Sequence, residues 1–176
     1  MPEHEAMKSP TTQSSNARYI IHTDGACRNN PGPGGWGAVV QLEVDGRITR
    51  QRDLSGATID ETTNNRMELS AVIGALRRLK DRTLAITVRS DSQYVIKGMS
   101  RWLPGWKANG WRTSAKKPLP NLDLWQELEA ECDALGPISW EWVKGHSGDL
   151  LNERCDQLAN LAIDKALQGT SAGSTV

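Results

Sequence analysis

The sequence predicts an α/β fold: a mixed β-sheet with helices packed on its faces. Three observations carry this expectation. The first third of the chain reads as strands joined by tight turns, the rest alternates helical with strand-like segments, and the apolar spacing switches to i, i+3, i+4, i+7 from Asn65 onward. Consecutive strands with short turns pair antiparallel, whereas strands separated by helices pair parallel, so both kinds of pairing share one sheet.

The elements follow in order. "RYIIHTD" is a short apolar strand that ends in an acid, Asp24. The loop after it contains "GPGGWG", which fits the letters of the dinucleotide-binding pattern G-x-G-x-x-G. That pattern works only when its glycines open a helix that receives a pyrophosphate. Here the β-branched run "AVVQLEV" follows, so the sequence predicts a reversal between two strands and no nicotinamide cofactor. Asp45-Gly46 is a two-residue hairpin signal, and "RITRQRDL" is the returning strand of an antiparallel set. From Asn65 to Lys80 a helix is expected, with Val72, Ala75, Leu76 and Leu79 on its buried stripe. "LAITVRS" is a strand, "SQYVIKG" a short helix closed by glycine, and the tryptophan-rich segment a pair of short helices broken at Pro104-Gly105 and Asn109-Gly110. "NLDLWQELEAECDAL" is a helix, "ISWEWV" the last strand and "NERCDQLANLAIDKAL" the last helix.

A chain of 176 residues suits one domain with a full core. We place it at residues 18–168, between a polar lead (1–17) expected to be disordered and a small-residue tail (169–176) expected to be flexible. No apolar run approaches membrane-spanning length, and the lead lacks the basic start and apolar stretch of a secretory signal. Cys27, Cys132 and Cys155 show no C-x-x-C spacing, which fits a reducing cytoplasm and argues against a zinc or redox motif. With zero net charge, attraction to a polyanion has to come from a local patch. Such a patch is legible: Lys97, Arg101, Lys107, Arg112, Lys116 and Lys117 run without an acid among them, interleaved with Trp102, Trp106 and Trp111. The tryptophans read as mostly structural, Trp102 and Trp106 being one turn apart, and the cations as facing outward toward phosphates.

Each of four acids has two readings. Glu68 lies one turn before Val72 and extends the stripe that faces the sheet, yet Asn65-x-x-Glu68 also matches a capping box. Asp24 ends a strand that should be central, yet Asp-Gly is also ordinary turn chemistry. Asp91, just after a strand, also suits an N-cap. Asp156, beside the stripe of Cys155, Leu158, Ala159 and Ala162, also suits a helix N-terminus that welcomes an acid. Gathered together, such carboxylates about 4 Å apart repel by roughly 4 kcal/mol per pair at an effective dielectric of about 20, and need cations. Oxygen ligands without sulfur or imidazole suit Mg²⁺ or Mn²⁺, and two divalent ions balance four carboxylates. Periodicity places each acid on an element and not on a common point.

"TDGACRNNPGPGGWGAVV", "TTNNRMEL", "SDSQYVIKG", "WKANGWRT", "NLDLWQEL", "WEWVKGHSG" and "NERCDQLA" stand in the order and spacing of bacterial type 1 ribonuclease H, and the chain resembles that family from about Tyr19 to Leu167. The resemblance implies a five-stranded mixed sheet, three strands antiparallel and then two parallel, flanked by helices. It implies an endonuclease that hydrolyses the RNA strand of an RNA/DNA hybrid duplex with two Mg²⁺ ions, Mn²⁺ serving as a substitute, and leaves 5′-phosphate and 3′-hydroxyl ends. Asp24, Glu68, Asp91 and Asp156 match the family's metal-binding carboxylates, and His146 matches a flexible-loop histidine that assists proton transfer or product release. Cys27 and Asn30 match contacts to the RNA strand, and Asn64 and Gln93 match residues near the groove that reads the 2′-hydroxyl. Thr63 and Asn121, with the Trp106 region, match the surface that grips the DNA strand's phosphates, contacts that position a hybrid without reading bases. The family suggests a monomer. Two departures stand out: Ala108 and Asn109 replace cations in the basic connector, and Asp149-Leu150-Leu151 follows Gly148 where the family's loops are more polar. The competing readings are a hybrid-binding module without catalysis and a DNA-directed nuclease of the same fold. The presence of all four acids argues against the first, and the "TTNNRMEL" and "VKGHSG" motifs against the second.

Overall fold

The computed structural model describes residues 16–145 and 147–172. His146, residues 1–15 of the lead and residues 173–176 of the tail lie outside the described residues. Strands β1 (Ala17–Cys27), β2 (Gly32–Val44) and β3 (Arg47–Thr62) form the antiparallel half of the sheet. Asp45 and Gly46, at φ 52° and 80°, make the β2–β3 reversal, the backbone that an Asp-Gly hairpin adopts. Helix α1 (Asn64–Leu76) carries the chain to β4 (Ala85–Ser90), which pairs parallel to β1, and β5 (Ile138–Trp142) pairs parallel to β4. The order β3-β2-β1-β4-β5 is the five-stranded mixed sheet expected, with β1 at its centre. Between β4 and β5 run α2 (Gln93–Lys97), a π-helical turn (Gly98–Trp102), α3 (Leu103–Ala108) and α4 (Leu122–Asp133). Helix α5 (Leu150–Ala172) closes the fold.

Apolar residues hold a helical layer on each face. On one face, α1 and α4 bury Leu69, Val72, Trp125 and Leu128 against Ile21 and Val88 of the sheet. On the other, Cys155, Ala159 and Ile163 of α5 are fully buried over the antiparallel strands. The glycine run of "GPGGWG" lies inside β2 and opens no helix. It lets α5 approach: a Cβ on Gly37 would stand 2.3 Å from the Cys155 carbonyl oxygen.

Several boundaries differ from the sequence expectation. The third strand runs on to Thr62 because Ala57 and Thr58 continue to pair with Gly35 and Gly34. Helix α1 stops at Leu76, short of Lys80, and a turn bond from Leu79 N–H to the Leu76 carbonyl (3.3 Å) still folds Leu79 into the core. Gly98 does not close its helix, since the chain continues through the π-helical turn into α3. Its missing side chain makes room for Trp125, whose ring a Cβ would meet at 2.1 Å. Residues 169–172, expected to be a flexible tail, continue α5, because a helix already anchored by packing adds a turn at little cost.

Candidate metal centre

Asp24 lies in β1 opposite Gly37, one residue past Thr23–Ser90, the last parallel pair joining β1 to β4. Asp91 follows directly on β4. The two acids therefore emerge side by side at the carboxyl ends of neighbouring parallel strands, where open α/β sheets hold their ligands. Helix α1 brings a third acid across the sheet. It meets β1 at Gly25, where a Cβ would come within 2.4 Å of the Glu68 backbone nitrogen. Gly25 thus serves close approach within a strand, not the turn that Asp-Gly also suggested. Gly25→Ala is expected to push α1 off the sheet, lowering stability by about 1–3 kcal/mol in urea unfolding and weakening Mn²⁺ binding in titration calorimetry.

One carboxylate oxygen from each of Asp24, Glu68 and Asp91 lies within 4.8 Å of the others. Asp24 and Glu68 are buried, 7% and 8% exposed, whereas Asp91 is half-buried. Asp24 Oδ1 accepts the Gly25 N–H at 3.0 Å, but Glu68 Oε2 has no hydrogen-bond partner among the described residues. Burial, and next the charge of Asp91, pushes the Asp24 carboxyl up to about 7. Burial, and next the charge of Asp24, pushes Glu68 well above the ordinary carboxylate range. Without a cation this pair retains a proton near neutral pH. An orphaned carboxylate oxygen beside two further carboxylates, with no sulfur or imidazole in the group, fits an oxygen-preferring divalent cation of the Mg²⁺ or Mn²⁺ kind.

The alternative readings of two acids are corrected by the helix starts. Thr63 caps α1, its Oγ1 accepting from Arg66 N–H at 3.3 Å, so Glu68 lies beyond the reach of a capping box and turns inward. Ser92 caps α2, its Oγ accepting from Val95 N–H at 3.2 Å, which frees Asp91 from that duty. The hydroxyl residue next to each helix start, Thr63 and Ser92, was the legible signal. Asp156, on α5, is not among the three converging acids. Its Oδ1 accepts the Asn160 amide one turn along the same helix (3.2 Å), while its charge is among those that raise Asp24. Asp149 explains the unusual loop after Gly148. Its Oδ1 accepts from Leu151 and Asn152 N–H at 3.0 and 3.1 Å and so caps α5, leaving Leu150 at 78% exposure.

Around the acids, the predicted substrate contacts are held by the fold itself. Cys27, at the end of β1, turns its thiol to the Thr62 carbonyl at the end of β3 (3.3 Å), and Asn30 Oδ1 accepts the Asn64 N–H (3.1 Å), which braces the loop between β1 and β2 against α1. Gln93 opens α2, directly after the Asp91–Ser92 turn. Thr63 and Asn121 are brought together by Arg66, whose guanidinium donates to Asn121 Oδ1 (3.3 Å) and to both oxygens of Asp123 (2.9 and 2.7 Å). Asn121 in turn donates to Tyr94 Oη at 3.0 Å. Sequence reasoning missed Arg66 and Tyr94, because their partners lie tens of residues away. Trp106 packs at a tilt with its ring centroid 4.9 Å from that of Trp125, and Trp111 packs against the core, whereas Trp102 remains 40% exposed. Lys107, read as facing phosphates, is paired with Glu129 at 2.5 Å because α3 comes alongside α4.

A family model described as RNase H matches residues 16–164. The chain is 51% identical over 147 residues to a Ribonuclease H of Chromobacterium violaceum, which spans 84% of this chain and 95% of that one. It is similar to the solved structure of LC9-RNase H1, described as a type 1 RNase H with the type 2 active-site motif, at 32% identity and TM-score 0.76 over 86% of this chain and 74% of that one. LC11-RNase H1, solved in complex with an RNA/DNA hybrid, is similar at 29% identity and TM-score 0.60, over 85% of this chain and 99% of that one. Fold and sequence agree, and the chain belongs to the RNase H family.

Proposed function

We propose that this chain is an endonuclease that cleaves the RNA strand of RNA/DNA hybrids, uses two divalent ions, and leaves 5′-phosphate and 3′-hydroxyl ends. The observation that carries the reading is the convergence of Asp24, Glu68 and Asp91 beside an orphaned buried oxygen. When bound, a pair of Mg²⁺ or Mn²⁺ ions would supply an activated water and charge to stabilise the leaving oxygen. The chain's own residues do the rest. Asp24, Glu68 and Asp91 hold the cations, with Asp156 adding the fourth carboxylate from α5. Asn64 and Gln93 carry amide groups that can donate to and accept from a ribose 2′-hydroxyl, and Cys27 and Asn30 contact the RNA strand. Thr63 and Asn121, held in place by Arg66, form the anchor for a DNA phosphate. His146 carries a proton to or from the reacting group. The protein acts as a monomer in the cytoplasm, where its three free cysteines stay reduced.

Incubation with a labelled RNA/DNA hybrid, a matching DNA duplex and a matching RNA duplex, each with Mg²⁺ and with chelator, tests this. Hybrid-only, metal-dependent cleavage is expected. Cleavage of the DNA duplex would favour a DNA-directed nuclease, and binding without cleavage a silent module. The connector adds a finer expectation. Among the described residues, Arg112, Lys116 and Lys117 make no ion pair, whereas Lys107 is engaged by Glu129. Removing Arg112 or Lys116 should flatten the salt dependence of hybrid binding by about one phosphate each, and Lys107→Ala by clearly less; equal slopes would remove the distinction.

A further inference from the structure

Asp91 differs from the other two converging acids in how it is held. Asp24 is fixed by a central strand and Glu68 by a helix, but Asp91 occupies the turn Ser90–Asp91–Ser92 between β4 and α2, and it is half-buried. A carboxylate on such a turn needs support from outside the turn to keep one direction. The end of β5 supplies it. The Val143 N–H donates to the Ser90 carbonyl at 2.9 Å, extending the β4–β5 pairing past Trp142. The Trp142 indole Nε1–H donates to the Asp91 carbonyl at 3.1 Å. Gly145 then passes beside the carboxylate, where a Cβ would stand 2.7 Å from Asp91 Oδ2 and 3.4 Å from its Cβ and Cγ.

These contacts give two residues of the "WEWVKGHSG" motif a role. Trp142 is 48% exposed, so burial of its ring does not account for a large aromatic at this position. Its polar tip reaches the one main-chain carbonyl that orients Asp91. At the side-chain edge, Gly145 lies so close that only a bare Cα fits beside Oδ2. We propose that Trp142 and Gly145 are positioning residues: they clamp Asp91 from its backbone and from its side-chain edge, and so keep its carboxylate turned toward Asp24 and Glu68. The proposal rests on the reading of these three acids as a divalent-cation site.

Mn²⁺ binding by titration calorimetry on the full chain, without nucleic acid, reads the clamp directly. Trp142→Phe keeps the ring and removes the N–H; Gly145→Ala adds the one carbon that meets Oδ2. Both are expected to weaken Mn²⁺ binding roughly 10- to 100-fold, the usual cost of losing an outer-shell support. Hybrid binding in chelator, measured by fluorescence anisotropy, should stay within about twofold for both, because neither contact reaches the anchor at Thr63 and Asn121. Trp140→Phe is the control. That neighbouring tryptophan packs on the core and makes no hydrogen bond to Asp91, so its loss should lower the melting temperature and leave Mn²⁺ affinity unchanged. If Trp142→Phe and Gly145→Ala bind Mn²⁺ like the wild type while Asp24→Asn does not, the clamp is wrong and the cation site stands. If wild type binds no Mn²⁺, or Asp24→Asn binds it equally well, the cation site itself fails.

Discussion

Asp24→Asn is expected to reduce hybrid cleavage by on the order of a thousandfold or more and to leave hybrid binding as tight as in the wild type. The amide matches the carboxylate in size and can still accept the Gly25 N–H now bonded to Oδ1 at 3.0 Å, so β1 and its register with β2 and β4 are undisturbed. What it removes is the charge at the centre of the group formed with Glu68 and Asp91. Loss of a single charge-stabilising contact at a reacting centre commonly costs about 10²- to 10³-fold, and here the loss extends to the cation that such a contact holds. Binding should not suffer, because one fewer negative charge faces the phosphates. Single-turnover cleavage at saturating Mg²⁺ and anisotropy titration in chelator separate the two effects. Turnover within tenfold of the wild type would exclude Asp24 from the metal centre.

The same substitution should stabilise the metal-free protein at alkaline pH. Asp24 has its carboxyl raised from an ordinary 3.8 to about 7, so between these values the folded chain keeps a proton that the unfolded chain has released. Stability conferred by that retained proton is full below about pH 4 and is lost as pH rises through about 7, after which the curve is flat. A shift of about three units corresponds to about 4 kcal/mol, and Glu68 is raised in the same direction. In EDTA at pH 8, Asp24→Asn is therefore expected to unfold at higher urea, by about 2–4 kcal/mol, and with a shallower loss of stability between pH 4 and pH 7. Saturating Mg²⁺ should reverse the order, because only the wild type gains the binding free energy of the ion. A variant no more stable than wild type in EDTA at pH 8 would mean that the three carboxylates do not strain the fold.

The two helix starts show how local signals can be read and misread. Thr63 and Ser92 are the caps, yet Asn65-x-x-Glu68 and Asp91 fit cap patterns almost as well, one residue or two out of register. Sequence patterns tolerate that offset, but a helix does not: each residue turns the side chain by about 100°, and Glu68 points inward only because the helix starts where Thr63 accepts from Arg66. The glycine run is a second case. Its letters fit a phosphate-binding turn, and the β-branched residues after Gly37 ruled that out locally; that its glycines admit the backbone of α5 was invisible, because Cys155 lies far along the chain. The basic connector is a third, since its six cations are legible but the Glu129 partner of Lys107 comes from α4.

By itself the sequence determined the strand and helix order, the Asp-Gly hairpin and the presence of four candidate acids, because spacing and turn chemistry act over a few residues. The seven motifs, standing in order, pointed to the family. Only the tertiary structure decided that Asp24, Glu68 and Asp91 share less than 5 Å while Asp156 leans toward Asn160. Those distances depend on the β1–β4 register and on how closely α1 crosses Gly25, both fixed by contacts between residues far apart in the chain.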